Sequence, residues 1–305
     1  MRRSKSLDYL VYLVVRVLIC LVQAVPLATC ARAAKVLATL FHQVLKIRRR
    51  LVDENLQQAF PHLAPCERKR LAWQMWEHLF LMICEIAHAP RKIHDSNWRQ
   101  YITLENRTEL VGTLLSDRPV VIVCAHYGNF ELSGYALGLL GFLSYTIARP
   151  LDNPYLNRFV NEFRGSTGQF ILPKMGSAQR VDALLAAKGT LVVLADQSAG
   201  PKGCFVDFFG RPASTHKAIA LFSLGSDAPL AVCYDRRVGR PLEHVIGLEA
   251  VADPQEADSG LRTVPDLTRW YTQRLEDVIR RSPEQYWWLH RRWKDVPPAR
   301  GRKAA

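Results

Sequence analysis

His126 and Glu131, five residues apart, are the pair in this 305-residue chain whose types and spacing most directly suggest chemistry. An imidazole titrates near neutral pH. A carboxylate that holds one of its ring nitrogens leaves the other as a base. Two more polar sites occupy similar contexts: Arg149 follows the apolar run 142–148, and Asp196-Gln197 follow the run 190–195. Singly, each has a plain structural explanation. A histidine after a strand can be a satisfied structural residue, Arg149 can form a surface ion pair, and Asp196 can cap a turn. Together they say more, because neighbouring parallel strands end on one edge of a sheet, where open α/β folds bind ligands.

The elements must therefore place those ends side by side. Residues 120–125 read VVIVCA, a β-branched run suited to a strand buried on both faces. The polar turn His126-Tyr127-Gly128-Asn129 follows. A helical period then runs through Leu132, Tyr135, Ala136, Leu139 and Leu140. Residues 142–148, 171–172, 190–195, 229–235 and 243–250 read as further strands. Helices are expected over 33–47, 66–90, 109–115, 155–164, 177–187, 216–225 and 266–281. Pro90 is expected to stop the second of these. A short strand or turn is expected at 101–104, and residues 198–216 read as a loop. Glu85 falls on or near the apolar stripe of helix 66–90, where a rim position is the favoured reading. The pattern predicts a single α/β domain with a mostly parallel central sheet flanked by helices. Its span is 33–296, with a disordered basic tail at 297–305.

Residues 1–32 read as a membrane anchor. A basic head precedes a largely apolar stretch, 9–29, interrupted by Arg16 and Gln23, which share one helical face. The length can span a bilayer, while the polar seam suits a helix lying in the interface or packed on protein. The length of the stretch and Arg16 inside it favour a retained anchor over a cleaved leader. Basic residues on both sides, including Lys46, Arg48, Arg49 and Arg50, favour a cytoplasmic-face anchor over a clean crossing. The composition is globular, with 49% hydrophobic and 23% charged residues. The net charge of +13 favours anionic partners, a membrane surface or an acidic protein among them. No recognised nucleic-acid motif accompanies it. The seven cysteines lack zinc-site spacing and suit a reducing compartment.

Several chemistries leave no trace. G-x-S-x-G, the two glycine-rich nucleotide-binding motifs and H-E-x-x-H are all absent. A base without a resident nucleophile suggests direct transfer, in which His126 deprotonates an acceptor hydroxyl that attacks an acyl thioester. Glu131 is expected to orient the ring. Backbone N–H groups of 127–130 are candidate oxyanion donors. Arg149 and Arg164 are expected to hold phosphate, with Asn129, Asp196 and Gln197 on the substrate side. The aromatic segment 205–209 either borders an acyl groove or belongs to the core. Water as acceptor would make the chain a thioesterase or lipid hydrolase, and a non-catalytic lipid-binding protein is the third alternative.

An ordered set of segments resembles the bacterial lipid A biosynthesis lauroyl/myristoyl acyltransferase family, a branch of the lysophospholipid acyltransferases marked by H-x4-D/E. It comprises Asn55-Leu56-Gln57-Gln58-Ala59-Phe60-Pro61, Ala125-His126-Tyr127-Gly128-Asn129-Phe130-Glu131, Arg149-Pro150, Arg164, Asp196-Gln197, Phe205-Val206-Asp207-Phe208-Phe209-Gly210, and the closing Gln285-Tyr286-Trp287-Trp288-Leu289-His290-Arg291-Arg292-Trp293-Lys294. The resemblance implies a cofactor-free transfer of an acyl chain from acyl carrier protein, or from coenzyme A, to a hydroxyl of a membrane glycolipid. It implies His126 and Glu131 as the catalytic dyad, and the cytoplasmic face of the inner membrane as the place. The acceptor stays open between a lipid A precursor and another glycolipid.

Overall fold

The structure is a computed structural model and describes residues 4–173, 176–256 and 259–295. The expected tail at 297–305 lies outside the described residues. In chain order the helices α1 (Lys5–Ala24), α2 (Leu27–Thr39), α3 (Arg49–Ala59) and α4 (Pro65–Lys92) come first, with a π-helical turn, Leu40–Val44, after α2. Then follow β1 (Ile102–Glu105), α5 (Arg107–Leu115), β2 (Val120–Cys124), α6 (Phe130–Leu139), β3 (Ser144–Ala148), α7 (Pro154–Gly165), β4 (Gln169–Pro173), α8 (Ser177–Ala186) and β5 (Thr190–Leu194). The chain continues through β6 (Cys204–Phe208), β7 (Arg211–Thr215), α9 (Lys217–Gly225), β8 (Leu230–Arg237), β9 (His244–Ala252) and α10 (Val264–Arg281).

Seven strands form one sheet in the order β1-β9-β8-β2-β5-β3-β4. All neighbours are parallel except β8 and β9. The architecture is thus mixed α/β, with a mostly parallel sheet flanked by helices. β2 lies inside the sheet, and its alternate side chains go to opposite layers. Val121 and Val123 join the larger core with residues of α4, α8, α9 and α10. Val120 and Ile122 pack with Leu110 of α5 and Leu137 of α6. Burial on both faces is why this strand reads as a continuous apolar run. On α10 the expected stripe Leu267, Tyr271, Leu275 and Val278 is buried.

Several local expectations are corrected. The apolar stretch 9–29 is two helices, because Pro26 precedes the first turn of α2 and cannot continue α1. The helix expected at 33–47 is the end of α2 plus the π-helical turn. Pro90 does not stop α4, which continues to Lys92. Residues 49–59, for which no element was expected, form α3. The loop 198–216 contains a hairpin in which Cys204 pairs with Thr215 and Phe208 with Arg211. Its two turn residues, Phe209 and Gly210, both have positive φ, as a tight hairpin turn requires.

α1 is 20 residues long with a mean hydropathy of 1.9, enough by length and composition to cross a membrane. One face docks on the body. Asn153 donates to the Asp8 carbonyl at 2.8 Å, Gln23 donates to the Ala87 carbonyl at 2.7 Å, and Arg16 lies over the Phe159 ring at 4.8 Å. The opposite face exposes Leu10, Val14, Val17 and Leu21. Gln23 of the polar seam therefore faces protein, while Arg16 stays exposed with its guanidinium over Phe159.

Candidate active site

Strand register brings the first two polar sites together. Cys124 of β2 is paired with Leu194 of β5, so the residues two steps beyond each, His126 and Asp196, emerge side by side. Asp196, whose carboxylate is buried, accepts from the backbone N–H of His126 at 3.1 Å and from its ring Nδ1 at 2.8 Å. A carboxylate there fixes the proton on Nδ1 and leaves Nε2 with a lone pair. Gln197 places its amide nitrogen 3.4 Å from Nε2. The ring is held edge-on by Phe130 and Trp287, at centroid distances of 5.1 and 5.9 Å. Burial disfavours the imidazolium, but the charge and hydrogen bond of Asp196 outweigh it, with Glu131 adding, so the His126 pKa is raised. The Asp196 pKa is lowered: its burial works against the charge, and His126 more than compensates.

The expectation that Glu131 orients the ring is corrected. Its carboxylate faces Arg164, which donates from Nε to Oε2 at 2.9 Å and from a terminal nitrogen to Oε1. This is a two-pronged guanidinium–carboxylate pair, half-buried on both sides. Arg164 is accordingly committed to Glu131, and the expected phosphate grip does not use a free guanidinium there. Arg149 stays exposed and pairs with Asp152 at 3.0 Å. Asn129 does not face substrate. Fully buried, it accepts the Leu132 N–H at 3.1 Å to cap α6 and donates to Glu85 at 3.2 Å.

Two of the expected oxyanion donors are also in use. The Gly128 N–H goes to the Gln285 carbonyl at 3.0 Å, and the Asn129 N–H to Asp235 at 2.9 Å. The Asn129 cap takes the N–H of Leu132, which leaves those of Phe130 and Glu131 at the start of α6.

His126, Glu131, Arg149, Arg164 and Gln197 line one end of a cavity of about 400 Å³ between α6 and the sheet. Away from them the walls are apolar: Leu110, Ile122, Leu137, Leu140, Val192 and Ile246. Ser133, Thr146 and Gln169 add polar points that no local sequence pattern marks. The aromatic segment 205–209 does not border this cavity. Phe208 and Phe209 are buried, in ring contact with each other and, between them, with Phe60, Tyr286 and Trp288.

Behind the turn lies a buried polar network that sequence reasoning largely missed. Glu85, read as a rim residue, is fully buried. It accepts from Arg237 Nε at 2.5 Å, from a terminal nitrogen of Arg237 at 2.7 Å and from the Leu242 N–H at 3.0 Å. His244 bridges Glu85, at 3.4 Å, and Asp235, at 2.6 Å. Burial opposes its charge, but Asp235 and Glu85 prevail and raise its pKa to about 9. His78, squeezed by burial and by Arg237, falls to about 3 and sits 3.1 Å from the Gly128 carbonyl. The available signal was polar residues inside apolar runs: Asp235 and Arg237 on β8 and His244 on β9.

The chain matches the family model described as bacterial lipid A biosynthesis acyltransferase over residues 1–295. It is 26% identical over 284 residues to the lipid A biosynthesis lauroyltransferase of Escherichia coli (strain K12), covering 91% of this chain and 89% of that one. It is 28% identical over 261 residues to the lipid A biosynthesis palmitoleoyltransferase of the same strain, covering 83% and 81%. Among solved structures, a 1-acyl-sn-glycerophosphate acyltransferase from Thermotoga maritima aligns over 81% of this chain and 98% of its own, with 12% identity and a TM-score of 0.36. With its family model matched over nearly the whole length, the chain belongs to the bacterial lipid A biosynthesis acyltransferases.

Proposed function

We propose that this acyltransferase moves a fatty acyl group from acyl carrier protein to a hydroxyl of a lipid A precursor, at the cytoplasmic face of the inner membrane. The observation that carries the proposal is the His126 ring. Asp196 holds Nδ1, and Nε2 lies beside Gln197, where both residues line one end of an apolar cavity. That cavity suits an acyl chain, with its thioester carbonyl at the polar end.

His126 Nε2 takes the acceptor's proton as the hydroxyl oxygen attacks the thioester carbonyl. Asp196 stabilises the imidazolium that forms. The Phe130 and Glu131 N–H groups and the Gln197 amide are the donors at hand for the oxyanion. Collapse of the tetrahedral intermediate breaks the C–S bond, and the imidazolium returns its proton to the leaving thiolate. Support for lipid A as acceptor comes from the family and the named relatives. A net charge of +13 suits an acidic carrier and an anionic bilayer.

Mass spectrometry of membrane lipids tests this in cells lacking the gene, complemented with wild type or His126→Ala. One glycolipid should lose a single acyl mass on deletion and regain it only with wild type. An unaltered lipid profile with changed free fatty acid would instead indicate hydrolysis.

A further inference from the structure

We infer that the cleft between α3 and the C-terminal segment binds the multiply phosphorylated headgroup of the acceptor lipid, an inference that rests on the acyl-transfer proposal. The cleft measures about 1060 Å³ and is strongly cationic. Lys46, Arg48, Arg49 and Arg50 form one wall, Arg211 comes from β7, and Arg291 and Lys294 come from the C-terminal segment. Glu54 is the one carboxylate among its described lining residues, and it pairs with Arg50. Lys46, Arg211, Arg291 and Lys294 are exposed, and no carboxylate pairs with them among the described residues. Uncompensated cations converging on a concavity are the electrostatic complement of clustered phosphates.

Position ties this cleft to the catalytic ring. Gln197 lines the acyl cavity, while the next residue, Ser198, donates its N–H at 3.0 Å to Nε2 of His290, which lines the cleft. The Ser198–His290 hydrogen bond thus links the wall of the acyl cavity that holds His126 to the wall of the cleft. In this arrangement the acyl group occupies the cavity beside His126 and the headgroup the neighbouring cleft.

The rim identifies the ligand as a lipid rather than an acidic protein. Val44, Leu45 and Ile47 are exposed beside Lys46. Val36, Leu37 and Leu40, earlier in the same stretch of chain, are exposed as well. Cations alternating with bare aliphatic side chains suit a headgroup whose tails remain in the bilayer.

The test uses the full chain in detergent micelles and compares wild type with the triple variant Lys46→Gln/Arg211→Gln/Lys294→Gln, all exposed positions. Lys188→Gln, an exposed cation elsewhere, is the control. The probes are a tetraacyl glucosamine-disaccharide bisphosphate and its dephosphorylated counterpart, with acyl carrier protein as donor. The triple variant should raise the KM for the bisphosphate about tenfold or more and remove its advantage over the dephosphorylated lipid. The KM for the acyl carrier protein should not move. An unchanged bisphosphate KM, or a rise confined to the carrier protein, would overturn the inference, the latter in favour of a carrier dock. If wild type transfers nothing to either lipid, the acyl-transfer proposal has failed. Equilibrium binding of the same bisphosphate to wild type and to the triple variant then decides the cleft separately: equal binding rejects it, and a tenfold loss sustains it.

Discussion

At the residue scale, the proposed chemistry depends on which carboxylate touches His126. The structure answers Asp196, seventy residues away in sequence, and not Glu131. Asp196→Asn should therefore lower kcat by about 10²-fold or more, because the amide no longer enforces the base-competent tautomer or stabilises the imidazolium. The pH profile supplies an independent readout. A general base must be neutral, and Asp196 raises the ring's pKa, so kcat/KM in wild type should climb through an apparent pKa above the ordinary histidine value of about 6.5. In Asp196→Asn that rising limb should move down. Glu131 and Arg164 act as a unit. Glu131→Gln and Arg164→Gln should each impair turnover, and the double variant should cost little more than either single one. Strict additivity in that kinetic cycle would show that the pair is not coupled.

At the element scale, the β2–α6 turn is held in place by what lies beneath it. Gly128 adopts φ +60°, and a Cβ there would lie 1.8 Å from the Asp235 carbonyl oxygen. Gly128→Ala combines left-handed strain with a backbone collision, and should destabilise the fold by about 2–4 kcal/mol, read as a lower Tm. Glu85 ties α4 to β8 and β9 through Arg237 and His244. Glu85→Gln leaves both cations short of a buried counter-charge and should cost about 3–5 kcal/mol. Its pH signature follows from the sign of the shift. The His244 pKa is raised in the folded state, so its contribution is complete below about pH 6.5 and is lost as pH rises through about 9. Denaturant midpoints between pH 6 and 9.5 should fall in wild type, and should fall less steeply in Glu85→Gln. A wild-type curve flat over that range would show that His244 carries no such charge.

At the scale of the whole molecule, one side carries an exposed aliphatic helix face. α1 turns Asp8 and Gln23 towards the body and its aliphatic face outward. The outward face is thus free to enter a bilayer without unfolding the domain. Val14→Asp/Val17→Asp/Leu21→Asp should weaken co-sedimentation with anionic vesicles by at least about tenfold while leaving Tm nearly unchanged, because these side chains are exposed. Retention on vesicles equal to wild type would mean that another surface does the anchoring.

The sequence by itself determined the fold class and pointed to the strand ends where the proposed site lies. Apolar β-branched runs, helical periods and polar residues at strand ends are local patterns, and burial on two faces writes itself directly into composition. It also supplied the family through short ordered motifs. Which side chains touch was decided only in three dimensions. The His126–Asp196 contact follows from a parallel register between β2 and β5 that no local period encodes. Glu131 stood five residues from the histidine, yet the start of α6 turns it towards Arg164 on α7. Glu85 looked like a rim residue because a charge is rarely buried. Its burial became possible only where β8 and β9 brought Arg237 and His244 against α4. The hairpin at 204–215 and α3 were likewise fixed by what they pack on. Phe208 and Phe209 gather with Phe60, Tyr286 and Trp288, which are distant in sequence. Local periodicity carries the identity of an element; long-range packing chooses its neighbours, and those neighbours set the chemistry.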